Sequence, residues 1–227
     1  MEKKRISDGT TSLTVLALHG YRQTSDALAR PLGRLLKMRT NQPDIDIVYP
    51  VAPVVVVARD SADVRSPEEG PLRAWWARPT YNLDDRFDYK EFGPSCDAVA
   101  KALDGKTADV VVAFSQGAVM ATLLLQSGKL PDCKCAVLFG ASGVQDPTLA
   151  TLPVVCGVPA LIVSGEKDSL CGAEGAQQLG AAYADARYIT HRWGHVVPSD
   201  SASREIVTAF IAASCLADSS AAPSTIE

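Results

Sequence analysis

Ser115, Asp168 and His195 are the residues of this chain whose types and order could do chemistry together. Each follows a short apolar run. A serine hydroxyl becomes a strong nucleophile when a histidine takes its proton and a carboxylate orients that histidine. The chemistry that such a set supports is attack of the serine on a carbonyl carbon, with an acyl group held briefly on the serine.

The sequence around Ser115 predicts a sharp turn between a buried strand and a helix. Val110 to Phe114 is apolar without alternation, as in a strand buried on both faces of a parallel sheet. Gln116 to Gln126 is rich in Ala, Leu and Met and suits a helix. A serine on such a turn is typical of the nucleophile elbow of α/β-hydrolases, G-x-S-x-G. The other interpretation is that Ser115 only caps the helix.

An acid is expected on a loop after a later strand, because ligands and chemistry in open α/β sheets gather at the carboxyl ends of the strands. We favour Asp168, which follows a buried run and lies just past the turn that Gly165 makes. Glu166, on the same loop, and Asp146, after the preceding strand, remain open. A solvated turn residue is the alternative role for Asp168.

The base is expected to be His195, on the loop between the last strand and the last helix. A loop lets the imidazole reach the serine hydroxyl. The chain has only two other histidines. We expect His191 to be held by its strand, and His19, which precedes the elbow, to brace the turn at Gly20 and Tyr21.

Two backbone N–H groups are expected to stabilise the oxyanion that such chemistry forms. One is that of Gln116, the residue after the nucleophile, and the other is that of Tyr21, on the loop after the first strand. Gly20 would let this loop fold back towards Ser115.

Strand and helix patterns alternate along the chain and predict an α/β protein. We expect a single-domain α/β-hydrolase fold with about six mostly parallel strands, the strand before Ser115 near the middle, and helices on both faces. The expected strands are 13–18, 45–49, 110–114, 136–139, 160–164 and 187–190, and the expected helices are one from Thr24 or Ser25, then 94–103, 116–126, 173–184 and 199–215. Pro31 predicts that the first helix begins late or is kinked.

The domain organisation is expected to be simple. We expect residues 1–12 to be a flexible N-terminal segment and residues 13–215 to be the hydrolase domain. Residues 216–227 are rich in Ala, Ser and Pro, and we expect them to be a disordered tail. The irregular, aromatic-rich region 54–92 is expected to lie over the site as a cap. It contains Trp75 and Trp76, of which we expect one in the core and one beside the substrate pocket.

Composition excludes several classes of function. The chain has 227 residues and a net charge of −4, which gives no sign of nucleic-acid binding. No apolar signal segment or membrane span is visible, so we expect a soluble, cytoplasmic protein. The six cysteines are expected to be free thiols, and Cys133 and Cys135 have no matching pair for zinc. No metal or cofactor is expected, and the oligomeric state stays open.

Over roughly residues 13–212 the chain resembles the FSH family of serine hydrolases. The matching segments are Leu18-His19-Gly20-Tyr21-Arg22-Gln23, Pro50-Val51-Ala52-Pro53, Arg73-Ala74-Trp75-Trp76, Phe114-Ser115-Gln116-Gly117-Ala118, Ser164-Gly165-Glu166-Lys167-Asp168 and Gly194-His195-Val196-Val197-Pro198. The resemblance implies esterase or thioesterase activity on acyl substrates, with Ser115, Asp168 and His195 as a catalytic triad. Ala113 and Trp193 stand where this family usually has glycine.

We therefore expect a small-molecule acyl ester or thioester as substrate. Trp75, Trp76 and Trp193 are the expected substrate-binding side chains, and Trp193 would narrow the site or stiffen the loop of His195. Two alternatives remain open: a ligand-binding protein that keeps the fold without turnover, and a small serine peptidase or amidase.

Overall fold

The computed structural model describes residues 12–36, 44–56, 71–77, 92–144 and 155–216. Several expectations lie outside these residues. They are those for the N-terminal segment before residue 12, for the tail after residue 216, for most of the cap region and for Asp146. The domain boundaries therefore stay predictions.

A six-stranded parallel sheet forms the centre of the described structure. Its strands are β1 (Leu13–Leu18), β2 (Ile45–Val48), β5 (Val110–Phe114), β6 (Cys135–Phe139), β7 (Ala160–Gly165) and β8 (Ala186–His191). The order across the sheet is β2-β1-β5-β6-β7-β8, and each neighbouring pair is parallel. The expected sheet is confirmed, with the strand before Ser115 third of six.

Helices cover both faces of this sheet, as expected. They are α1 (Ser25–Leu35), α2 (Phe92–Leu103), α3 (Gln116–Gln126), α4 (Ala173–Gly180) and α5 (Ser201–Leu216). Alternate residues of β5 point to opposite sides. Val111 and Ala113 join the core beneath α2, α3 and α4, and Val110, Val112 and Phe114 join the core beneath α1 and α5. Burial on both faces is why the strand shows no polar alternation.

One helix start agrees with the expectation and one helix end differs. Thr24, one of the two expected caps, accepts from the Ala27 N–H, and helix α1 begins at Ser25 with Pro31 inside it, so it does not begin late. Helix α4 ends at Gly180 rather than at residue 184. The chain beyond it pairs with Cys156 instead, whose N–H donates to Ala182 and whose carbonyl accepts from Ala184.

A second, two-stranded antiparallel sheet was not expected. Strands β3 (Val54–Val55) and β4 (Arg73–Ala74) have only two residues each, too few for a sequence pattern to show. None of the helices in the described ranges combines the length and the hydropathy that a bilayer crossing requires.

The start of α3 lies directly against the end of β1. A Cβ on Gly117 would be 2.2 Å from the Leu18 carbonyl oxygen and 2.5 Å from that of His19. Both obstacles are backbone atoms, one in the last residue of β1 and one in the buried residue after it, so they cannot move aside as a side chain could. This contact brings the loop after β1 beside Ser115, and it requires glycine at position 117.

We therefore expect Gly117→Ala to destabilise the fold by about 1–3 kcal/mol, the usual cost of overpacking. Gly33→Ala is the matched control, because Gly33 lies inside α1 and a Cβ added there would have nothing within 4 Å. That change should stabilise the protein by about 0.5–1 kcal/mol through helix propensity. Urea unfolding of both variants measures the difference, and equal effects would contradict the close approach.

Candidate active site

Three side chains from distant parts of the chain form one hydrogen-bonded line. The Nε2 atom of His195 lies 3.0 Å from Oγ of Ser115, and its Nδ1 atom lies 2.8 Å from Oδ2 of Asp168. Ser115 follows β5, Asp168 follows β7, and His195 follows β8. The structure thus brings together the three residues chosen from the sequence, at the carboxyl edge of the sheet.

Ser115 occupies a backbone conformation that non-glycine residues rarely adopt. Its φ is 54° and its ψ is −121°. Its N–H donates to the Phe139 carbonyl, 2.8 Å away, which fixes the turn to β6. The side chain makes no capping hydrogen bond to α3. The interpretation of Ser115 as only a helix cap is therefore wrong, and the hydroxyl points to His195 instead.

Asp168 is held as a buried carboxylate. Its side chain is 0% exposed, and its Oδ1 atom accepts from the N–H groups of Leu170 and Cys171, each at 2.9 Å. Burial by itself raises the pKa of Asp168. The hydrogen bonds from Cys171, His195 and Leu170 outweigh burial and hold the pKa below its ordinary value of 3.8. Asp168 therefore stays charged, whereas Glu166 on the same loop is exposed.

The acid and the base meet over a glycine that sequence reasoning missed. Gly140 follows β6 with a φ of +50°. A Cβ there would be 3.1 Å from Nδ1 of His195 and 3.3 Å from Oδ2 of Asp168. The signal was available, since Gly140 directly follows a buried strand beside the elbow strand, but nothing in the sequence says which side chains lie above it.

The loops that carry Asp168 and His195 pack closely against each other through backbone contacts. A Cβ on Gly165 would be 2.4 Å from the carbonyl oxygens of both Trp193 and Gly194. The N–H of Lys167 donates to the Trp193 carbonyl at 3.1 Å. Backbone contacts therefore set the spacing between these loops.

Aromatic rings pack around the loop that carries His195. The Phe114 ring lies 4.7 Å from the His195 ring, centroid to centroid. Trp193 is half-buried between Arg192 and His191, with His191 at 5.6 Å. His191 ends β8 as a buried side chain, and burial lowers its pKa. It is held by its strand, as expected, and does not reach Ser115.

The loop after β1 folds back over the serine, as the glycine at position 20 suggested. A Cβ on Gly20 would be 3.2 Å from the Ser115 Cβ. His19 is buried, and its Nδ1 atom lies 2.9 Å from the Gly20 carbonyl, so it braces this turn. Burial is the main cause that lowers the pKa of His19. Tyr21 is the next residue of this turn, and Gln116 is the first residue of α3. The first N–H groups of a helix have no partner within the helix.

Both neighbouring tryptophans are buried, and the expectation that one of them lies beside the substrate pocket stays a prediction. Trp75 is 0% exposed and Trp76 is 2% exposed, and both belong to the core beneath α2, α3 and α4. The Trp75 ring lies against the loop after β1, 5.2 Å from the His19 ring. Trp193 is half-buried and is the most exposed of the three. Tyr81, Phe87 and Tyr89 of the expected cap lie outside the described residues.

The arrangement contains what acyl transfer requires. A hydroxyl faces an imidazole nitrogen, the imidazole faces a buried carboxylate, and a helix N-terminus and a folded-back loop lie beside the hydroxyl. Within the part of the chain that the structure describes, no group of three or more His, Cys, Asp or Glu side chains is arranged to hold a metal ion.

Comparisons with known proteins identify the family to which this chain is similar. A family model described as serine hydrolase (FSH1) matches residues 9–207. An esterase of Anopheles gambiae is 28% identical over 218 residues, covering 89% of this chain and 78% of that protein. Esterase OVCA2 of Danio rerio is also 28% identical, over 88% of this chain and 96% of its own length.

Solved structures share the fold at lower identity. Arabidopsis thaliana SOBER1 aligns with a TM-score of 0.62 and 17% identity, over 90% of this chain and 99% of its own. The Bacillus cereus carboxylesterase aligns with the same TM-score and identity, over 91% of each chain. These likenesses show the α/β-hydrolase fold.

Asp168 makes a testable contribution to stability. A carboxyl whose pKa is lower in the folded state stabilises the protein above its unfolded pKa, and this contribution is lost as pH falls through the folded pKa. We expect Asp168→Asn to lower the free energy of unfolding by about 1–3 kcal/mol at neutral pH. The difference from wild type should shrink as pH falls below 3.8. Urea unfolding across pH measures it, and a difference that does not change with pH would contradict the assignment.

Gly140 gives a second prediction, on reactivity. We expect Gly140→Ala to slow labelling of the protein by a fluorophosphonate about 10–100-fold, because the new methyl group displaces His195 and Asp168. Gly128→Ala is the matched control: Gly128 also has a positive φ, +67°, but a Cβ added there would have nothing within 4 Å. A loss of the same size in Gly128→Ala would show that backbone strain, and not the crowded imidazole, causes the effect, and unchanged labelling of Gly140→Ala would contradict the crowding.

Proposed function

The chain belongs to the FSH1 family of serine hydrolases, and we propose that it cleaves carboxylic esters or thioesters of acyl chains through an acyl-enzyme on Ser115. The observation that carries the proposal is the hydrogen-bonded line from Ser115 through His195 to Asp168. Its relatives in Anopheles gambiae and Danio rerio bear the name esterase, which supports the ester bond as the bond that is cleaved.

The first half of the reaction acylates the serine. His195 Nε2 takes the Oγ proton of Ser115 as the oxygen attacks the carbonyl carbon. The carbonyl oxygen becomes an oxyanion, which the N–H groups of Gln116 and Tyr21 stabilise. As the tetrahedral intermediate collapses, His195 returns the proton to the leaving alcohol or thiol. The C–O or C–S bond breaks, and the acyl group stays on Ser115.

The second half releases the acid with water in place of the leaving group. His195 takes a proton from water, the resulting hydroxide attacks the acyl carbon, and the proton returns to Ser115 Oγ as the ester bond to the enzyme breaks. Asp168 keeps the imidazole in the orientation with Nε2 towards Ser115 and stabilises its charged form. Because the Asp168 carboxylate is buried, solvent weakens this interaction less than it would weaken an exposed pair.

Trp193 is the residue we propose at the substrate side. Its ring is half-buried and lies two positions before His195, on the same loop. Where a second glycine would leave the loop open, the indole adds an apolar wall to the loop that carries His195. This wall favours an acyl chain over a charged group next to the scissile bond.

The direct test is turnover by Ser115→Ala, against wild type, on a chain-length series of p-nitrophenyl esters and on matched acyl-CoA thioesters. We expect kcat to fall by about 10⁶, because the hydroxyl is the attacking atom. Ser127→Ala is the matched control, since Ser127 carries the same hydroxyl at the far end of α3 and donates to the carbonyls of Leu123 and Leu124. It should keep wild-type kcat.

Three results would contradict the proposal. Undiminished ester turnover by pure Ser115→Ala would discard the nucleophile. Wild-type cleavage of peptide amides with no turnover of esters would favour a peptidase. Binding of acyl ligands without turnover, and without labelling by a fluorophosphonate, would favour a ligand-binding protein.

A further inference from the structure

The side chain of Gln116 makes two buried hydrogen bonds that the reaction described above does not use. Its Oε1 atom accepts from the Trp75 N–H at 3.0 Å, and its Nε2 donates to the Trp76 carbonyl at 2.9 Å. Gln116 is 8% exposed. A primary amide can donate and accept at once, so this side chain satisfies two backbone groups of one segment as a neighbouring strand would.

Trp75, whose backbone N–H makes one of these hydrogen bonds with Gln116, also contacts the loop after β1 through its side chain. Its indole N–H donates to the carbonyl of His19 at 2.8 Å, and the two rings lie 5.2 Å apart. The Ser95 hydroxyl donates to the Trp75 carbonyl from the other side. Since the Trp75 ring is fully buried, its position fixes the position of the His19 carbonyl.

The loop itself has two peptide planes whose orientation is set by these contacts. The plane between His19 and Gly20 is held at both ends, because its carbonyl accepts from Trp75 and its N–H donates to the Gln23 side chain at 2.9 Å. The next plane joins Gly20 to Tyr21, and its carbonyl lies 2.9 Å from Nδ1 of His19. A peptide unit is planar and trans, so a carbonyl fixed on one side directs the Tyr21 N–H to the opposite side.

We propose that the Gln116 side chain is a positioning residue for the oxyanion hole: through Trp75 it holds the loop that presents the Tyr21 N–H, while its own backbone N–H is the other donor. One residue thereby couples the two donors, one on α3 and one on the loop after β1. This inference rests on the proposed function, because it assigns a task within that reaction.

The expected consequence is specific to the transition state. The oxyanion exists only after attack, so a displaced donor weakens binding of the transition state more than binding of the substrate. A shift of about 1 Å in such a group can cost about 10²-fold in rate. Loss of the two hydrogen bonds of the Gln116 side chain should therefore lower kcat and leave KM nearly unchanged.

The experiment compares Gln116→Met with wild type on a p-nitrophenyl ester. Methionine keeps the length of the side chain and removes both hydrogen bonds. We expect kcat to fall about 10–100-fold with KM within about threefold. An alkyl trifluoromethyl ketone, whose adduct with Ser115 carries an oxyanion, should lose affinity by a similar factor. Gln126→Met, the same change at the other end of α3, should leave kcat, KM and inhibition as in wild type.

A double-mutant cycle shows whether Gln116 acts through Trp75. Trp75→Phe keeps an aromatic ring and removes the indole N–H that donates to His19. We expect this change to lower kcat clearly in the wild-type background and hardly at all in Gln116→Met. In Gln116→Met the connection from residue 116 through Trp75 to the loop is already broken. Fully additive losses would overturn the inference, since they would show two unrelated effects.

The results for the variants and for the wild-type protein separate failure of the positioning role from failure of the proposed function. Unchanged kcat in a folded Gln116→Met protein, or a higher KM with kcat unchanged, overturns the positioning role while the proposed function stands. Should Gln116→Met not fold, Trp75→Phe alone replaces it, since it removes the indole N–H through which Gln116 is proposed to act on the loop; unchanged kcat there overturns the inference. Wild-type protein without Ser115-dependent turnover overturns the proposed function, and this inference falls with it.

Discussion

The hydrogen bond between Ser115 and His195 joins residues 80 positions apart, and the parallel sheet is what makes it possible. In a parallel sheet all strands end at one edge, so the residues that follow β5, β7 and β8 collect there whatever their distance along the chain. The four inner strands, β1, β5, β6 and β7, consist mostly of buried apolar residues, which hold this edge in place. The reactive set is therefore a consequence of the order of strands.

Small residues decide how closely the parts of this edge approach one another. Gly117 lets α3 begin against β1, Gly140 leaves the space in which Asp168 meets His195, and Gly165 lets the loop of Asp168 touch the loop of His195. At each position a methyl group would meet either backbone or the reacting side chains. The geometry of the site is thus set as much by missing side chains as by those that react.

The sequence predicts the sheet well and the supporting contacts poorly, for physical reasons. Runs such as Val110 to Phe114 are buried on both faces, and burial leaves a visible pattern. The end of α4 depends on pairing with Cys156, and the burial of Trp76 depends on α2 and α3, so both are decided by contacts far along the chain. The Gln116 side chain gives no local signal, because a glutamine in the first turn of a helix is ordinary. The roles of the individual site residues stay predictions until they are measured.

The proposed reaction requires that one serine hydroxyl, activated by its imidazole neighbour, carry the acyl group between two half-reactions. The most direct measurement is to stop turnover of a p-nitrophenyl ester with acid within its first cycles, digest the protein and locate the acyl group by mass spectrometry. We expect the acyl group on Ser115, in an amount equal to the burst of p-nitrophenol. An acyl group on another residue, or a burst with no acylated peptide, would contradict this mechanism.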